Sequence, residues 1–456
     1  MISLSFPFEK KTAVSCLFVF LSLLYLSVAE AKEIPSSEPL PRRSFLGATV
    51  DTAPDNHFRI SRIVPNSPAA RSELTAGDIL LAVNGTQVVS LDTYLATLKS
   101  FKSGDYLTYR IQRGGTEMDI EITLGEFPRE QSGDIQVLYD SVDTHNATVR
   151  SILTAPNGNN RKLPAILFVQ GWDCGSIDWP FPEPNLSREL VYRLTRAGFV
   201  VMRSEKSGVG DSTGTPCRDV DFRDEVSLFT SALKKLKSYD FVDTGNVFIF
   251  GHSAGGWVAP LVAAAEPVKG IVMYGTVVRP FAEYLVENWR RNRWLRSQSN
   301  LAQLEDDQRL MAQFLHYILV EKSSVVEVIA KHPELKAIAK RLFPRDDEHF
   351  GGWRSLQHVR QLNDQNIARV WASLDIPVLA LIGEYDIRTL PMDQEYIAAI
   401  VNARHPGKGT WQLLSKMDHG FASHESLKES VIHEFAGPFG DQVVQETVKW
   451  IRDIIG

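Results

Sequence analysis

Cysteine is scarce: the 456-residue chain has three, Cys16, Cys174 and Cys217. No cluster of His, Cys, Asp and Glu has metal-ligand spacing, so no metal centre and no cofactor are expected. Basic charge is not in excess either. With 49 Lys and Arg against 55 Asp and Glu, the net charge of -6 gives no footprint for a nucleic-acid partner. Long apolar runs are missing except for one near the start, so nothing beyond it is expected to cross a bilayer. What remains, 44% hydrophobic and 23% charged, is ordinary globular composition with length for two or three domains.

The one apolar run spans about Ala13 to Val28, behind Lys10 and Lys11 and ahead of Ala29-Glu30-Ala31. This is the order of a secretory signal peptide with a small-residue cleavage site, and it predicts removal of residues 1–31 and export to the periplasm or beyond. Cys16 leaves with that segment. Cys174 and Cys217 remain as an even pair in an oxidising compartment, on loops expected at one edge of a sheet, and are expected to be bridged. Lys32 to Arg43, with three prolines and two serines, reads as a flexible lead-in.

The chain is organised around Gly251-His252-Ser253-Ala254-Gly255-Gly256. Before it, Asn246 to Phe250 reads as a buried strand; after it, Val258 to Ala265 reads as a buried helix. A serine between them sits on a sharp turn that leaves almost no room at positions 251 and 255, which is the G-x-S-x-G nucleophile-elbow pattern. A serine nucleophile needs a base, and the base an orienting acid. Asp386 closes the strand Pro377 to Ile382, and His419 follows the strand Thr410 to Leu414, so all three fall at carboxyl ends of strands in the order Ser, Asp, His. Glu384 and Asp418 are rival acids; Glu384 is expected to face the other way, and Asp418 is badly placed for a neighbouring ring. His252 and His349 read as structural or exposed.

Around the elbow, strands at Pro164–Val169, Phe199–Met202 and Gly270–Tyr274 alternate with helices, which predicts a parallel sheet covered on both faces. Phe281 to Asp375 breaks this rhythm with a helical pattern and no convincing strand, and reads as a cap over the carboxyl edge. Within it, Trp289 to Arg296 reads as a solvated helix face, with an anionic ligand or membrane surface as the rival reading.

These placements make residues 133–456 resemble an α/β-hydrolase, in a subgroup similar to secreted esterases and acyl-peptidase-like enzymes. The resemblance implies Ser253 as nucleophile, His419 as general base then acid, and Asp386 as its orienting carboxylate. The oxyanion of the tetrahedral intermediate needs backbone donors. They are expected at the N–H of Ala254 and, where Gln170-Gly171 stands in place of the family's usual His-Gly, at the N–H of Trp172, unless Trp172 serves only as a pocket wall. The loop Arg203 to Ser212 is expected to hold this oxyanion loop, with Glu205 and Lys206 paired. An elbow serine, rather than aspartate, excludes the dehalogenase and epoxide-hydrolase branches. A small ester is the default substrate, with a peptide or acylaminoacyl-peptide as the alternative.

Residues 44–126 have another character. Phe45-Leu46-Gly47-Ala48, the turn Ser67-Pro68-Ala69-Ala70, Gly77-Asp78-Ile79-Leu80-Leu81-Ala82-Val83-Asn84-Gly85 and a hairpin about Gly114-Gly115 resemble a PDZ domain. The resemblance implies a groove that adds a peptide strand, with the N–H groups of Leu46, Gly47 and Ala48 holding its terminal carboxylate. It also admits a domain that only packs on its neighbour, or an adaptor whose hydrolase part is inactive. The expected architecture is therefore a small, mostly-β PDZ domain followed by an α/β-hydrolase sheet with a helical cap at 281–375. All three triad residues lie beyond Gly133, so the first domain is expected to be dispensable for small esters.

Overall fold

The computed structural model describes residues 40–456 except 54–56, 159–160 and 298–299. The expected signal segment and the first part of the lead-in lie outside the described residues.

In the first part, β1 (Ala48–Thr52), β2 (Phe58–Ile63), β3 (Ile79–Val83), β4 (Tyr106–Arg113) and β5 (Thr116–Thr123) form an antiparallel sheet in that order, with β1 at its edge. Alternation of inward and outward residues in β4 puts Leu107, Tyr109 and Ile111 in the core. Helix α1 (Leu91–Lys99) starts on a Ser90 hydroxyl that accepts the N–H of Thr93. It packs beside β1 and completes the small core through Tyr94, whose hydroxyl meets that of Tyr109 at 3.0 Å.

The second sheet has eight strands: β6 (Ile135–Asp143), β7 (Thr148–Pro156), β8 (Leu163–Val169), β9 (Val200–Ser204), β10 (Val242–His252), β11 (Gly270–Tyr274), β12 (Val378–Gly383) and β13 (Gly409–Leu414). Across the sheet their order is β13-β12-β11-β10-β8-β9-β7-β6. The first six of that order are parallel, and β7 and β6 form an antiparallel edge. Both faces are buried. On β8, Ala165, Leu167 and Val169 enter one apolar layer while Ile166 and Phe168 enter the other, and β10 divides Val247 and Ile249 from Phe248 and Phe250 in the same way. Such continuous apolar runs suit only a central strand covered on two sides. Helices α2 (Leu186–Arg196), α3 (Phe222–Lys237) and α4 (Gly255–Ala265) alternate with these strands. Helices α8 (Pro391–Arg404) and α9 (Gln442–Ile455) complete the covering layers.

Between β11 and β12 lie α5 (Phe281–Ser297), α6 (Leu301–Leu315), α7 (Leu356–Asn363) and shorter helical turns. One detail departs from the sequence reading: His349–Phe350 and Arg354–Ser355 pair as a two-residue antiparallel ladder around the turn Gly351-Gly352. A ladder this short leaves no alternating pattern to read.

Two further expectations are corrected. The end of the supposed flexible lead-in is fastened: Arg42 is only 6% exposed and lies against Asp178 and Asp211 of the second part. Trp289 to Arg296 on α5 is a solvated face only in part, with Trp294 48% exposed and other side chains turned to the protein. Arg291 donates to the Thr389 carbonyl at 2.5 Å, Asn292 to that of Ile387 at 3.2 Å, and Arg296 to that of Val431 at 2.9 Å. These side chains satisfy loop carbonyls, and carbonyls leave no signature in a sequence.

Candidate active site

Ser253 follows β10 with φ of 55°, a left-handed conformation that side chains rarely adopt and that costs energy unless the surroundings enforce it. Here they do. A Cβ at position 251 would lie 3.0 Å from the Gly255 carbonyl oxygen, and one at position 255 would strike the carbonyl oxygen of Val169. Strand, turn and helix are therefore in backbone contact, and the serine hydroxyl stands above the carboxyl edge of the sheet.

His419 Nε2 lies 2.8 Å from Ser253 Oγ, and its Nδ1 lies 2.8 Å from Asp386 Oδ2. The Asp386 carboxylate also accepts the N–H groups of Arg388 (2.7 Å) and Thr389 (2.9 Å) and the Thr389 hydroxyl (2.8 Å). Burial alone would raise its pKa. The adjacent His419 and the Thr389 hydrogen bonds outweigh that and hold it below the usual carboxylate range.

The rival acids are elsewhere. Glu384 accepts the Ser415 hydroxyl at 2.9 Å and the Lys416 N–H at 2.8 Å. The Asp418 carboxylate takes the N–H groups of Gly420, Ala422 and Phe435, and so braces the loop that carries His419. His252 places Nε2 2.8 Å from the His419 carbonyl oxygen. Burial, then the neighbouring His419, lowers its pKa to about 4, so it is neutral at ordinary pH. His349 sits between Asp219 and Asp346.

The loop after β8 passes close to the serine, so that a Cβ at Gly171 would lie 3.3 Å from Ser253 Cβ. Among the described residues neither the Trp172 nor the Ala254 N–H has a backbone acceptor. Gln170 donates to the Ser204 carbonyl at 3.1 Å. Lys206 Nζ donates to the carbonyls of Gly171 (2.5 Å) and Asp173 (3.0 Å), and Arg354 Nε to that of Trp172 (3.0 Å). Glu225 pairs with both cations, at 3.2 Å from Lys206 and 2.7 Å from Arg354. A disulfide joins Cys174 of this loop to Cys217.

The expected Glu205–Lys206 pair is not formed. Successive residues of extended backbone point to opposite sides, and Glu205 instead accepts the Ser176 hydroxyl and the Ile177 N–H. The two side chains hold different parts of the same loop, as the loop's expected role required.

Sequence reasoning passed over Gly275, where a Cβ would stand 2.9 Å from both Asp386 Oδ2 and His419 Nδ1. It also passed over Thr389. The only available cue was their position just beyond the ends of β11 and β12.

A cavity of about 590 Å³ opens on Ser253 and His419, walled by Trp172, Trp257, Phe281, Tyr284, Phe350 and Trp353. A second, of about 670 Å³, lies against Gly171, Asp173, His252 and Phe435, which line both. In the first part, Leu46, Gly47 and Ala48 lead into edge strand β1 beside α1, far in sequence from these residues.

The family described as PDZ domain matches residues 36–105, and the family described as serine aminopeptidase S33 matches residues 185–405. Esterase EstD of Thermotoga maritima is 20% identical over 315 residues, 68% of each chain. A probable periplasmic DegP-like serine endoprotease of Halomonas elongata is 31% identical over 74 residues, 16% of each chain. Among solved structures, the DcsB complex with its substrate analogue has a TM-score of 0.45 at 17% identity, over 70% of this chain and 100% of that one. Est1E from Butyrivibrio proteoclasticus has a TM-score of 0.43 at 14% identity, over 70% of this chain and 98% of that one.

Proposed function

The chain joins a PDZ domain to an α/β-hydrolase domain, and from that premise we propose that it is an exported serine hydrolase cleaving carboxylic esters through an acyl-enzyme. The observation that carries the reading is the unbroken relay from Ser253 Oγ through His419 to Asp386, with 2.8 Å at each step. In this reading the PDZ domain spans 44–126, the hydrolase 133–456 and its cap 281–375. His419 takes the proton of Ser253 as the hydroxyl attacks the ester carbonyl. Asp386 fixes the ring tautomer and stabilises the imidazolium that forms. The N–H groups of Ala254 and Trp172 receive the oxyanion; loss of one such donor costs roughly 3 kcal/mol of barrier. His419 then returns the proton to the leaving alcohol, and water repeats the sequence on the acyl-enzyme. The aromatic walls of the cavity suit an apolar acyl group.

Peptide cleavage is the second reading. It is favoured by the aminopeptidase family match and by Asp173, a carboxylate on the cavity wall able to receive a substrate ammonium. The PDZ groove is assigned to the carboxyl end of a peptide, held by the N–H groups of Leu46, Gly47 and Ala48. Export rests on the signal-like N-terminus, the disulfide and the periplasmic relative that shares the PDZ region.

A panel of 4-nitrophenyl esters beside aminoacyl 4-nitroanilides decides between ester and peptide. A fluorophosphonate probe is expected to label the protein once. Ser253→Ala is expected to abolish both labelling and turnover, and labelling that survives would remove Ser253 from the reaction.

A further inference from the structure

The loop 170–179 is held from two directions. On the cap side Lys206, Arg354 and the disulfide fix residues 171–174. The other clamp reaches in from the start of the described chain. Arg42 Nη2 lies 2.7 Å from Asp178 Oδ2, and its Nη1 bonds Asp211. Its Nε and Nη2 also bond the carbonyls of Phe127 and Pro128. The side chains of Arg42, Asp178 and Asp211 are each 1% exposed. Asp211 accepts Arg150 Nε at 3.0 Å and the Arg43 N–H at 2.9 Å as well, while Asp178 takes the Tyr139 hydroxyl at 2.6 Å.

From Asp178 the contacts run back along the loop. Its N–H meets the Ser176 hydroxyl, which bonds Glu205, and Arg203 Nε donates to the Ile177 carbonyl at 2.8 Å. Phe45, three residues after Arg42, packs on Phe181 beyond the loop at 5.8 Å between ring centres.

We infer that Arg42, in the segment that enters the PDZ domain, is a positioning residue for the hydrolase: through Asp178 it fixes the loop that presents the Trp172 N–H. This rests on the reading of Ser253 as nucleophile and Trp172 as oxyanion donor. It departs from the expectation that residues ahead of Gly133 are dispensable. A guanidinium suits the role because one planar fork serves two carboxylates and two carbonyls at once, whereas an ammonium is a single point of charge. Without it Asp178 is a buried carboxylate short of its cation, and the loop must move to hydrate it.

The test compares full-length protein with Arg42→Ala, Arg42→Lys and Arg62→Ala on 4-nitrophenyl butyrate, with circular dichroism of each. Arg62 serves as control because its ion pair with Glu183 is exposed and joins the same two parts without touching Asp178. Arg42→Ala is expected to lose about tenfold or more in kcat, as misplaced catalytic groups do. Its KM should change by less than about twofold. Arg42→Lys should fall between it and the parent, and Arg62→Ala should match the parent. A folded Arg42→Ala with the parent's kcat, or one in which only KM rises, overturns the inference. If Arg42→Ala does not fold, Arg42→Lys decides, and parental kcat in that variant overturns the inference. Absence of turnover and of fluorophosphonate labelling in the parent would instead overturn the serine hydrolase reading itself.

Discussion

The two clefts of this molecule are built in opposite ways. In the PDZ domain, β1 is an edge strand with no further strand on its outer side among the described residues, and the neighbouring α1 carries Leu95 at 53% exposure. That cleft offers backbone groups which an added strand can complete. In the hydrolase domain the groups around Ser253 are already partnered: Asp386 by Thr389, the His419 loop by Asp418, and the Gly171–Asp173 carbonyls by Lys206 and Arg354. A groove that recognises a chain end can wait for its ligand to order it. A site that stabilises a charge appearing only in the transition state must have its donors fixed beforehand, because reorganising them would add to the barrier.

The contrast breaks most severely at the relay. Asp386→Asn is expected to fold normally and to lose about 10⁴-fold in kcat, because the imidazole then holds the wrong tautomer. A kcat within tenfold of the parent would remove Asp386 from the site. The next largest effect falls on Glu225, between Lys206 and Arg354. Burial alone would raise its pKa, but Arg354 and then Lys206 bring it down to about 2 from an ordinary 4.5. A folded value below the unfolded one means stabilisation that is complete above about pH 4.5 and is lost as the pH falls through about 2. Glu225→Gln should therefore cost about 3 kcal/mol at pH 7, typical of a broken buried pair. The gap to the parent should close between pH 4.5 and 2 in thermal unfolding. A gap that stays constant over this range would assign the loss to packing instead.

Reduction of the Cys174–Cys217 bridge should lower kcat by about tenfold with little change in KM, before any global unfolding, since it loosens the loop bearing the Trp172 N–H. Full activity under reductant would show that Lys206 and Arg354 suffice. The smallest effect belongs to the open cleft. A fluorescent peptide with a free, apolar carboxyl terminus should bind Leu95→Asp about threefold more weakly than the parent, by roughly 0.7 kcal/mol, with ester turnover unchanged. No binding by the parent would make the PDZ domain a packing module only.

How much of this was legible in the sequence follows from what each feature requires. The elbow was readable because close backbone approach demands glycine at 251 and 255, and few other settings do. Asp386 and His419 were readable because strand ends are marked by the apolar runs before them. The disulfide followed from scarcity, since only two cysteines remained to pair. Arg42 was hidden: proline and serine around it suggest a loose tail, and its partners Asp178 and Asp211 stand 136 and 169 residues away. The role of α5 was hidden for another reason. Arg291, Asn288 and Asn292 meet backbone carbonyls of residues 387–389, and every residue has one of those.

The bridge between Cys174 and Cys217 also closes a covalent ring that contains α2 and β9. A protease that nicks the exposed stretch Pro182-Glu183-Pro184 opens that ring but separates nothing, because the two pieces stay linked through sulfur. The nicked chain would migrate as one band on a gel without reductant and as two with it. A single cut between β13 and α9, outside the ring, would release the C-terminal helix under either condition once the fold is lost. Damage in this exposed stretch, just beyond the loop 170–179, is therefore confined by topology, and the strands on either side of it remain one molecule.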